Sequence, residues 1–112
     1  MARARLVLVV SLAACSGSVA GNTKDGAQVF QTACAVCHGA HGKPDAAMVA
    51  RIGVKDLTAP ELRSRITPEL VAHQVREGSK NKLMPAFATA LDDAQIEAVA
   101  SFVASPQFLE QH

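Results

Sequence analysis

An all-α fold is predicted by three observations. Apolar residues recur at a helical period, helix-start signals stand ahead of those segments, and no stretch alternates apolar and polar residues as a convincing strand would. At 112 residues the chain suits one domain. The segments in order justify the reading. The first helix is expected to start near Asn22 or Thr23, with Asn22 and Asp25 forming a weak cap, and to run through Gln28, Phe30 and Ala33. Residues 39–57 carry Gly39, Gly42, Pro44 and Gly53 and read as a loop with a short helical turn at 45–50.

Three better-signalled helices follow. Thr58-Ala59-Pro60-Glu61 offers a Thr cap, a Pro in the first turn and a Glu at the capping-box position. Thr67-Pro68-Glu69 repeats the pattern for a helix with Leu70, Val71 and Val75 on its apolar side and Gly78 as its stop. After a loop at 79–91, Asp92 with Gln95 as box partner starts the last helix, in which Ile96, Val99, Phe102 and Val103 recur before Pro106.

The N-terminus reads differently. Arg3 and Arg5 precede an apolar run from Leu6 to Ala14 that is too short to span a bilayer and fits a secretory signal. Two processing sites compete: Leu12-Ala13-Ala14-Cys15 looks like a bacterial lipobox with Cys15 as the lipid anchor, and Ser18-Val19-Ala20 before Gly21 suits ordinary signal peptidase. The first is preferred. The expected organisation is a signal at 1–14, a tether at 15–22, a folded domain at 23–105 and a tail at 106–112. Export to the periplasmic face of a bacterial membrane is expected, with a soluble periplasmic protein as the alternative. Without Arg3 and Arg5, nine basic residues face ten acidic ones, so bulk attraction to nucleic acid is not predicted.

The most specific chemical signal is Cys34-Ala35-Val36-Cys37-His38, the C-x-x-C-H spacing for covalent attachment of a c-type haem. Two intervening residues let one helical turn place both thiols along the ring edge for thioether bonds, and His38 follows as the proximal iron ligand. A thioredoxin-like couple would belong near a βαβ pattern. Zinc held by Cys34, Cys37, His38 and His41 would lack the second ligand pair at knuckle spacing. Of the three cysteines, two serve haem and Cys15 is lipidated or removed, so no disulfide remains. A domain this small buries only about 60% of its unfolded surface, and one haem c per chain would supply the missing core.

Gly26-x-x-x-Phe30-x-x-x-Cys34-x-x-Cys37-His38, together with Phe102, Asp56-Leu57-Thr58, Arg76-Glu77-Gly78 and Met84-Pro85-Ala86-Phe87, resembles the class I small monohaem c-type cytochromes over roughly residues 22–105. That resemblance implies four to five helices wrapped around one covalent haem. It also implies a Gly that lets the terminal helix approach the first, and a distal Met ligand from the late loop, for which Met84 is the matching position. Met48 is the rival thioether; His41 and His73 are read as loop and helix-face residues and His112 as part of the tail. Family members commonly offer a Pro carbonyl to the proximal imidazole, a role not assigned to Pro44 here. Arg51, Arg63 and Arg65 are candidate haem-propionate partners.

The implied activity is single-electron transfer between a redox donor and an acceptor protein at the membrane surface, without catalysis. A relay subunit of a larger dehydrogenase or oxidase and a haem enzyme or gas sensor with a labile Met are the alternatives. Arg76, Lys80 and Lys82 form a candidate docking cluster for an acidic partner.

Overall fold

The computed structural model describes residues 2–9 and 17–111, so Cys15 and His112 lie outside the described residues. Among these the chain forms helices α1 (Gly26–Ala33), α2 (Ala35–His38), α3 (Ala46–Ile52), α4 (Pro60–Arg63), α5 (Pro68–Glu77) and α6 (Asp93–Ala104), then a 3-10 turn at Pro106–Glu110. No strand occurs among the described residues.

Local hydrogen bonding decides each helix start. α1 begins at Asp25 and not at Asn22, because the Asp25 carboxylate accepts from both Ala27 N–H (2.9 Å) and Gln28 N–H (3.4 Å). The expected turn at 45–50 is a full helix, capped by Asp45 on Met48 N–H (2.8 Å) and closed by Gly53 at φ 66°. Thr58 does not cap α4: its hydroxyl and its N–H both donate to Asp56 (2.6 and 2.8 Å), which leaves Ala59 at the cap position. Thr67 caps α5 on Leu70 N–H (3.1 Å) with Pro68 inside the first turn. Asp92 and Gln95 form the full capping box on α6, at 2.8 and 3.1 Å.

α6 packs against α1, α5 and the 3-10 turn. Its Ile96, Val99, Ala100 and Val103 meet Val29 and Phe30 of α1 and Ala72 and Val75 of α5 in one core cluster. The α1 crossing is close enough to demand glycine. A Cβ on Gly26 would lie 2.3 Å from the Ala98 carbonyl oxygen and 2.8 Å from Phe102 Cβ.

Phe30, Phe102 and Phe108 form an edge-to-face triad with centroids 5.1, 5.5 and 6.3 Å apart. Phe108 comes from the stretch read as a tail, yet it has no exposed surface. The Pro106–Glu110 turn folds it back beneath α1. Phe108→Ala is therefore expected to lower the unfolding free energy by about 3 kcal/mol, read as a lower urea midpoint with the native visible spectrum retained.

Candidate haem site

Cys34 ends α1 and starts α2 with φ −118° and ψ −36°, so the pentapeptide continues the helix with one local break. That continuity carries the α1–α6 packing directly into the placement of Cys34, Cys37 and His38. All three line a cavity of about 890 Å³ whose other walls come from the 52–66 segment (Leu57, Ile66), α5 (Val71, Val75) and the late loop (Met84, Phe87), with Val99 and Val103 of α6 behind. The volume falls in the range of about 300–1,000 Å³ typical of ligand and cofactor sites.

His38 is held from behind. Its Nδ1 lies 3.0 Å from the Lys55 carbonyl oxygen. A carbonyl can only accept, so Nδ1 carries the proton and Nε2 keeps its lone pair for a ligand. Burial lowers the imidazole pKa from its ordinary value while the Lys55 bond opposes that shift. A neutral ring with Nε2 free is the form that binds a metal. The acceptor is thus the backbone of residue 55 and not that of Pro44. Burial, with a smaller contribution from Cys37, pushes the Cys34 thiol up to about 11. Reactive and redox-couple cysteines show the opposite shift.

Met84 reaches the same cavity from a loop that ties both of its backbone groups to one residue. Met84 N–H donates to Ser79 Oγ (3.0 Å) and Ser79 N–H donates to the Met84 carbonyl (3.0 Å). Asn81 Oδ1 accepts from the Ser79 hydroxyl (2.6 Å) and from Leu83 N–H (3.1 Å). Gly78 has φ 72°, and a Cβ there would sit 2.6 Å from the Met84 carbonyl oxygen. It therefore both ends α5 and lets the Met84 backbone pass close by.

The remaining candidates separate clearly. Met48 and Arg51 do not line the cavity; Arg65 does, and His73 stands exposed at its mouth. His41 is exposed, and among the described residues no three His, Cys, Asp or Glu side chains converge as a metal cluster, which removes the geometry of the zinc alternative. Arg63 is not free for a propionate. Its guanidinium donates to the carbonyls of Val103 (2.7 Å), Ser105 (3.1 Å) and Leu57 (3.3 Å) and lies 5.4 Å from the Phe108 ring centroid. Of the docking cluster, Arg76 is bonded to Glu97 (2.9 Å) with Asp93 at 3.8 Å, so its charge is met within the chain. Lys80 and Lys82 remain exposed, Lys80 on the cavity rim. Lys82 stands at φ 62°, a left-handed conformation unusual for a side chain with a Cβ.

Helices folded around such a cavity, with the C-x-x-C-H turn in one wall, define a c-type cytochrome, and the residues present fit one haem. Comparison with known proteins agrees: the chain belongs to the family described as cytochrome c oxidase, cbb3-type, subunit III, which matches residues 21–103. It is similar to cytochrome c6 of Picosynechococcus sp., at 34% identity over 93% of this chain and 90% of that one. It is also similar to cytochrome c6 of Thermosynechococcus vestitus (36%, covering 88% and 80%) and of Cladophora glomerata (35%, covering 70% and 82%). The fold is shared with the KustC0563 c-type cytochrome, with a TM-score of 0.63 at 24% identity over 71% of this chain and 94% of that one. The chain is thus a small class I cytochrome with one covalent haem c, an electron carrier and not an enzyme.

Lys55, Ser79 and Phe108 were not singled out by the sequence. The first acts through its backbone, which has no residue signature; Ser79 followed by Asn81 after a helix-ending Gly was a legible turn signal. Arg63→Met is expected to destabilise the protein by about 2 kcal/mol, since it leaves carbonyls at the end of α6 without their charged donor. The visible spectrum should stay unchanged in the same sample, whereas a propionate partner would alter it.

Proposed function

We propose that this protein is an exported, lipid-anchored single-electron carrier in which Cys34 and Cys37 hold haem c as thioethers, His38 is the proximal iron ligand and Met84 the distal one. The observation that carries the reading is that these four side chains border one apolar cavity, with His38 and Met84 each fixed by backbone hydrogen bonds. Bound haem supplies the ferric–ferrous couple. Held so, a neutral imidazole and a neutral thioether favour the ferrous state and a positive potential. The Lys55 carbonyl orients the His38 ring, and the Ser79 bonds fix the backbone from which the Met84 side chain extends.

Export is supported by Leu6, Val7, Leu8 and Val9, which stay 78–91% exposed and find no cover in the folded domain. No helix among the described residues is long and apolar enough to cross a membrane, so attachment would fall to a lipid on Cys15. Docking to an acidic redox partner falls to Lys80 and Lys82, the members of the cluster that form no ion pair among the described residues. A second reading, an electron-relay subunit of a larger oxidase, is favoured by the oxidase-subunit description of the matching family. Copurification of a larger redox protein from native membranes would select it.

Haem is expected to survive acid–acetone extraction, and the denatured mass to equal polypeptide plus haem; loss of haem on extraction refutes the thioethers. Met84→Ala should abolish the red-edge sulfur-to-iron absorption of the ferric protein, allow carbon monoxide to bind the ferrous protein and lower the midpoint potential. The same changes arising from Met48→Ala instead would reassign the ligand. Cys15→Ser should release the protein from the membrane fraction or block its processing, since the acyl chains of a lipoprotein hold firmly where one chain alone would not. Reversing Lys80 and Lys82 to Glu should slow association with the physiological partner at low salt. The difference should fade as the Debye length shrinks from about 10 Å at 0.1 M to about 3 Å at 1 M.

A further inference from the structure

The two processing sites leave different proteins. A cut after Ala20 would begin the mature chain at Gly21 and discard Ser18, Val19 and Ala20; a cut ahead of Cys15 keeps all three. These residues are built into the domain. Val19 N–H donates to the Ala90 carbonyl (2.9 Å), in the turn just before α6. Ser18 closes a turn on its own strand: its hydroxyl accepts from Ala20 N–H (3.1 Å) and its carbonyl from Gly21 N–H (3.0 Å). Ala20 is 8% exposed and belongs to the core cluster with Val29, Leu91 and Ile96.

The next residues continue the attachment. Gln95 has no exposed surface, and its Nε2 donates to the carbonyls of Gly21 (3.0 Å) and Thr23 (2.9 Å) while its Oε1 accepts from Asp92 N–H. Lys24 pairs with Asp92. From Ser18 to Lys24 the arm therefore runs as a strap along the start of α6, with backbone or side-chain bonds at nearly every residue. A chain begun at Gly21 would lose the Val19–Ala90 bond, both Ser18 bonds and the contribution of Ala20 to the core cluster.

We infer that residues 18–20 are part of the folded domain and that the mature chain begins ahead of Ser18, not at Gly21. This rests on the export reading, and it selects between its two processing sites on the stability of the product. It also moves the domain boundary from residue 23 back to residue 18. A consequence concerns reach: with the anchor at Cys15 only residues 16 and 17 separate it from the strap. At no more than about 3.6 Å per residue, the Ala90 turn is held within a short distance of the bilayer.

Intact mass of the native holoprotein, together with hydrogen exchange at the Val19 amide, tests this. The expected result is an N-terminus ahead of Ser18 and a Val19 amide that exchanges at least about tenfold more slowly than in an unstructured peptide. A mature N-terminus at Gly21, or exchange at the free-chain rate, overturns it. The anchor fails separately: a chain starting between residues 15 and 17 without acyl mass, and with Val19 protected, supports the strap and refutes the lipid.

Discussion

The close crossing of α1 and α6 at Gly26 is the constraint on which the structure depends. Because nothing larger than hydrogen fits between Gly26 and the Ala98 carbonyl, the two backbones meet, and Phe30 is driven into the face made by Val99, Phe102 and Val103. α1 runs almost unbroken into α2, so the same contact sets where Cys34, Cys37 and His38 emerge. The chemistry is positioned by a helix crossing some two turns away from it. The aromatic triad then fills the side of that crossing that glycine leaves thin.

Elements whose sequence signal is a local hydrogen bond were legible. Asp92 with Gln95, Thr67 with Pro68, and Gly78 as a stop each act within one helical turn, and the pentapeptide is a covalent motif whose spacing is its meaning. Misreadings arose where two local bonds compete. Thr58 could cap α4 or answer Asp56, and the shorter path to Asp56 wins; Asn22 could cap α1, but Asp25 reaches two N–H groups at once. Beyond the close approach at Gly26 that the resemblance implied, tertiary partners were not legible. Nothing in residues 106–112 marks Phe108 as core, and nothing in an exposed-looking arginine marks Arg63 as the donor to three carbonyls.

The same division runs through the site. The side chains proposed to bond haem are read by type and order, whereas the groups that hold them are a backbone carbonyl and a serine. Lys55 serves His38 through an oxygen any residue would offer, and its position follows from the Gly53-closed end of α3 and the Leu57 N–H bond to Gly42. Such second-layer contacts set ring orientation and donor strength, yet they leave the identity of the supporting residue free to drift.

The order of the helices along the chain gives the α1–α6 crossing a further consequence. In chain order α1 and the pentapeptide come first, and the helix that packs on α1 follows more than fifty residues later, with Phe108 after it. Until α6 packs, Phe30 lacks the cover of Val99 and Val103, and the two thiols proposed to bond haem lie beside an unfinished wall. The topology therefore provides its own assembly window: cofactor attachment can precede closure of the domain, and the arrival of α6 shuts it.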